Sequence, residues 1–150
     1  MRTYRRFAFA PVLSVLAAVL VATGCSNPRE DVRVTLCKDI VTVQLGPSVN
    51  LQGADTQTKG YEYAAVRVRY AAQSGEGQAV CYFNYNEVED TALTLSDPLS
   101  AYATSPFEVT IGGQKLSRPG LAEAVKQAML KQGREFVDRA KKGIEDAVQR

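Results

Sequence analysis

From Ser117 onward the apolar residues stop alternating and recur every three or four positions. Leu121, Val125, Ala128 or Met129, Phe136, Ala140, Ile144 and Val148 trace one helical stripe. Upstream the period is two. A chain that changes period once, late in its length, folds most simply as a sheet followed by a helix. Ser117 is a suitable N-cap and Pro119 suits a first turn. Glu135–Arg139 and Asp138–Lys142 are spaced four apart, where opposite charges support a helix. At 1.5 Å per residue a helix over 118–149 would be about 50 Å long, more than a small domain can cover. Gly133 is the expected kink or break, since glycine costs a helix interior about 1 kcal/mol relative to alanine.

The earlier half reads as strands. Val32, Val34 and Leu36 alternate with Arg33 and Thr35, and Val41, Val43 and Leu45 alternate with Thr42 and Gln44. Lys38-Asp39 then reads as a bulge between two half-buried strands. Gly46-Pro47-Ser48 signals a turn, and the polar stretch 50–60 a loop. Over 61–72, Val66, Val68 and Tyr70 share one face and Arg67 and Arg69 the other. Residues 73–77 form a hairpin loop, and 78–86 return with Ala79, Cys81, Phe83 and Tyr85 on one face. A short strand is expected at Thr91 to Leu95, with a break at Asp97-Pro98. Phe107, Val109 and Ile111 alternate before Gly112-Gly113, which favours a tight turn into a last short strand near Lys115-Leu116.

The chain begins differently. Arg2, Arg5 and Arg6 precede an apolar run from Phe7 to Thr23, interrupted by Pro11 and Ser14. A charged start and a short apolar core are the layout of a secretory signal. The run falls short of the roughly 20 apolar residues that span a bilayer. It ends at Ala22-Thr23-Gly24-Cys25, which resembles the lipobox of bacterial lipoproteins, with Ala22 where Leu is usual. The resemblance covers residues 1–25 only. It implies lipidation of Cys25, cleavage before it and acylation of the new amino group. Several acyl chains anchor a protein stably, at about 0.8 kcal/mol per buried CH₂. An uncleaved anchor helix or an ordinary signal is the alternative. In that family an Asp after the cysteine commonly retains the protein at the inner membrane. Ser26 stands there, which favours the periplasmic side of the outer membrane if the source is Gram-negative.

On this reading residues 1–24 are a cleaved signal, 25–31 a lipidated cysteine with a short tether, and 32–150 one domain. Three of the 18 basic residues and none of the 16 acidic ones lie in 1–24, so the remainder carries a net charge of −1. Nothing in that balance calls for nucleic acid. Export implies an oxidising compartment, where the two remaining cysteines, Cys37 and Cys81, read as a disulfide between strands or sheets.

Candidate chemistry is sparse. The chain has no histidine, so the commonest general base and metal ligand is absent. The polar run 84–90 offers Glu87, Glu89 and Asp90 beside Asn84 and Asn86. Its spacing matches no EF-hand loop, and an acid/base pair would need a cleft to hold it. The expectation is therefore a non-enzymatic protein with no cofactor and no metal. Tyrosine offers a flat apolar body with a polar tip, so Tyr61, Tyr63, Tyr82 and Asn84 form a candidate face for glycan or another small ligand. The outer part of the helix, with Phe136, Val137, Ala140, Ile144 and Val148, is a candidate surface for an envelope partner or a second copy.

The expected fold is α+β: an antiparallel β-sheet of about five or six strands over 32–116, then a long C-terminal amphipathic helix over 118–149. Leu121, Val125 and Met129 should cover Val66 and Val68. The alternative is a small β-sandwich with the helix projecting. The expected function is a membrane-anchored interaction or assembly-accessory lipoprotein, with a ligand-binding lipoprotein as the alternative.

Overall fold

The computed structural model describes residues 30–86, 97 and 99–149. The elements in chain order are helix α1 (Val32–Leu45), strands β1 (Asn50–Lys59), β2 (Tyr63–Ala72), β3 (Gly75–Asn84), β4 (Glu108–Ile111) and β5 (Gln114–Lys115), and helix α2 (Arg118–Val148). The five strands form one antiparallel sheet in sequential order, β1-β2-β3-β4-β5. The fold is α+β, and one sheet replaces the alternative sandwich.

The first correction is α1. The segment expected to give two strands is one 14-residue helix. Seven of its residues are β-branched, which is why it imitates alternating strands. Burial overrides that propensity. Val34, Leu36, Cys37, Ile40 and Val41 are all buried, because α1 is sandwiched between the sheet and α2. A helix covered on two sides needs no polar stripe, so it shows no 3.6-residue signature. Asp31 caps it, its side chain accepting from the Arg33 N–H at 2.7 Å.

The second correction is β1. The polar stretch expected to be a loop is a ten-residue strand at the sheet's edge. Only one of its sides pairs, and from Asp55 to Lys59 it is exposed, so no apolar alternation marks it. A register irregularity between Leu51 and Gly53 bends it, one of the ways a long edge avoids pairing with a stranger.

The hairpin of β2 and β3 follows the sequence. Ala64, Val66, Val68 and Tyr70 share a buried face with Ala79, Cys81 and Phe83, joined by Val109 of β4. Gly77 lies opposite Tyr70, and a Cβ there would fall 2.6 Å from the tyrosine ring. Only glycine lets that ring lie across the strand. Gly112 and Gly113 have φ of 58° and 81°, the pair of positive angles that a type I′ hairpin between β4 and β5 requires. Residues Thr91 to Leu95 and Pro98 lie outside the described residues.

α1 is tied to the sheet covalently. Cys37 and Cys81 form a disulfide with a Cα–Cα distance of 6.0 Å, linking a helix to the central strand rather than two strands. At its N-terminal end, buried Arg33 donates to the carbonyls of Tyr102 and Ala103 and pairs with Asp31 at 3.0 Å. That clamp holds the segment before β4 against α1.

The third correction is the course of α2. Its first half packs on α1, not on the sheet. Ala124 and Ala128 are its buried residues, small enough for the two helices to approach closely, with Leu121 and Val125 half-buried beside them. Met129 is 59% exposed and covers neither Val66 nor Val68, which lie under α1. Gly133 interrupts nothing: the helix runs unbroken for 31 residues, about 46 Å. Ser117 caps it as expected, accepting from the Gly120 N–H at 3.2 Å.

Candidate interaction surface

One group of candidates lies on the outer half of α2, and the root of that helix explains its direction. Asp39 points from α1 toward α2 and is only 7% exposed. Its two carboxylate oxygens accept from Lys131 Nζ at 2.6 Å and Gln132 Nε2 at 2.7 Å. Lys131 also pairs with Glu135 at 2.7 Å, so Glu135 reaches back one turn rather than forward to Arg139. The expected Asp138–Lys142 pair is likewise not formed among the described residues. Partial burial pulls the Lys131 ammonium down, but its bonds to Asp39 and Glu135 outweigh that and hold its pKa above the ordinary 10.5. Asp39 reads in sequence only as part of a Lys38-Asp39 strand bulge, and its role at this junction follows from its partners on α2.

Beyond Gln132 the helix leaves the body. Every residue from Gly133 to Gln149 is exposed. Phe136 is 66% exposed, Ile144 66% and Val148 81%, with Val137 and Leu130 also open. These side chains do not continue the buried face. At 100° per residue, Leu130, Val137, Ile144 and Val148 cluster roughly 140–180° around the axis from Ala124 and Ala128. The single stripe read in the sequence is therefore two: one covered by α1, and one facing away from the domain, from Met129 and Leu130 to the tip. Of the candidate partner residues, Val137, Ala140, Ile144 and Val148 share this outward stripe, and Phe136 lies on its border.

A groove of about 1020 Å³ runs beside the root, between α1, β1 and α2. Glu30, Lys38, Asp39, Lys131 and Glu135 line it, with Phe136 and Arg139 at its outer lip. Its charges are largely committed to each other: Lys38 pairs with Glu30, and Lys131 with Asp39 and Glu135.

The tyrosine candidates separate into two groups. Tyr63, Tyr82 and Asn84 lie on the sheet face away from α1, where the rings of Tyr63 and Tyr82 meet edge to face at 5.4 Å and Phe107 adjoins Tyr82. Tyr61 is not with them. It sits in the β1–β2 turn, 84% exposed, against Tyr85, which in turn meets Tyr102. Cys25 and the carboxylates Glu87, Glu89 and Asp90 lie outside the described residues. Among the described residues no group of three or more acidic or cysteine side chains could hold a metal, and no helix is long and apolar enough to cross a membrane. No family model, curated protein or solved structure matches the chain.

Proposed function

We propose that this protein is a non-enzymatic interaction module, held at a membrane by lipid on Cys25, in which the outward stripe of α2 receives an envelope partner or a second copy. The observation that carries this reading is the unpartnered helix half. A row of large apolar side chains stands exposed on a helix half that the described residues of its own domain do not bury. A helix that served only to cover the core would end near Gln132. The anchor supports the same reading, because a lipid on Cys25 would fix the domain close to the bilayer through a tether of a few residues. On the lipobox resemblance, the periplasmic side of the outer membrane is the proposed location in a Gram-negative source.

The test is crosslinking and co-purification from native membranes, with the full chain compared with one ending at Gln132. Truncation there removes the free half and leaves the packed root. A partner lost on truncation supports the reading; the same partner captured by both forms sinks it. A second reading rests on one specific observation, the Tyr63–Tyr82 pair with Asn84 on the sheet face that α1 leaves uncovered. There the protein would bind glycan or another flat small ligand, and Tyr82→Ala would weaken binding while shifting the unfolding midpoint little.

A further inference from the structure

We infer that the outward stripe of α2 is a seam for a second copy of this chain, paired in parallel and in register. The inference rests on the interaction-module reading and names its partner. Leu130, Val137 and Ile144 recur every seven residues, and Gly133, Ala140 and Ala147 follow each by three. The first set takes the a position of a coiled-coil heptad, β-branched at two of its three residues as two-stranded pairs favour there, and the second set puts small residues at d in place of the usual leucine. The small residues at the second position let the two backbones approach closely.

Charge selects the orientation. Arg134 and Lys141 flank the seam on one side, and Met129, Phe136 and Gly143 flank it on the other. In a parallel pair the first group faces the second, so no like charges meet, and the stems of Arg134 and Lys141 lie on the partner's Met129 and Phe136. In an antiparallel pair Arg134 and Lys141 would face their own kind. A bilayer is a poorer occupant. Residues 133–149 carry four basic and four acidic residues, so an anionic surface gains nothing from them, whereas interfacial helices concentrate Lys and Arg on their polar face. Shape agrees as well. Among the described residues α1 packs on the side of α2 that bears Ala124 and Ala128, opposite the stripe. Two chains anchored at their N-terminal ends in one membrane also point their helices the same way.

The experiment places single cysteines in the full chain in native membranes and oxidises them mildly. The unsubstituted chain is the control for adducts of Cys25. Leu130 and Ile144 are 14 residues apart, about 21 Å along the axis. In the parallel pair Leu130→Cys alone and Ile144→Cys alone each give a dimer, at about tenfold the yield of Asp146→Cys on the opposite side, because a disulfide requires Cα atoms within about 7 Å. Dimer that forms only when Leu130→Cys and Ile144→Cys chains are mixed overturns the parallel arrangement. Equal yield at Asp146→Cys, or none at any position, overturns the seam. Adducts with a different protein at 130 and 144 overturn the second copy as partner and leave the interaction-module reading standing.

Discussion

The two halves of α2 have the same secondary structure and opposite circumstances. The root, from Arg118 to Gln132, places alanines against α1 and is pinned by one buried carboxylate. The free half, from Gly133 onward, carries larger apolar side chains and is exposed throughout, with only Glu135, Phe136 and Arg139 reaching the groove beside α1 and β1. A globular protein ordinarily buries its large apolar residues along with its alanines. Here the helix separates the two. The small residues are inside because close helix approach needs them, and the large ones are outside where the domain offers no cover. Burial alone explains the root, whereas nothing among the described residues buries the large apolar side chains of the free half.

The largest expected effect lies beneath the root. Replacing Cys37 and Cys81 together by serine should cost about 4 kcal/mol in the chain-entropy model, read as a lower unfolding midpoint in denaturant. If unfolding then becomes two separate transitions, α1 with the root of α2 is a unit held to the sheet by that bond. Next comes a matched pair of substitutions. Ala128→Leu overfills the α1–α2 seam and should destabilise by about 1–3 kcal/mol. Asp146→Leu, five turns further on and off the outward stripe, should change stability by no more than about 0.5 kcal/mol. Equal effects would erase the distinction between the halves. Asp39→Ala leaves Lys131 and Gln132 without their buried acceptor and should cost about 1–3 kcal/mol by the same measurement.

The smallest effect is in pH. Because the Lys131 pKa is raised on folding, its contribution is complete below 10.5 and is lost as pH rises through the higher folded value. Comparing thermal unfolding on either side of that pH, Asp39→Asn should flatten the alkaline loss. An unchanged profile would mean that Asp39 does not hold the root through charge. The side chain of Lys131 is about one-third exposed, so the difference is expected to be slight.

Reading the sequence located α2 well, because Ser117, Pro119 and the new period agree. It also located the β2–β3 hairpin, the Gly112-Gly113 turn and the cysteine pair. It failed on α1 and β1 for opposite reasons. α1 is buried on two sides, so its apolar residues keep no helical period, and its valines and threonines imitate strands. β1 is an edge strand, so its residues keep no apolar alternation and imitate a loop. The candidate surface was half legible. Periodicity showed that Phe136 to Val148 are helical and apolar, but not that they turn away from Ala124 and Ala128; that needs to know which face α1 occupies. Arg33 and Asp39 went unnoticed because a charge inside an apolar run has meaning only once its buried partners are known.

The disulfide between α1 and β3 also decides how the molecule answers a pull. Tension applied between the N-terminal end of α1 and the tip of α2 cannot peel α1 from the sheet, since Cys37 is bonded to the central strand. It must instead shear the contact between the two helices, where Ala124, Ala128 and the Asp39 bonds resist it. A covalent bond holds α1 to the sheet and only packing and hydrogen bonds hold it to α2, so under load the helix pair is expected to slip first.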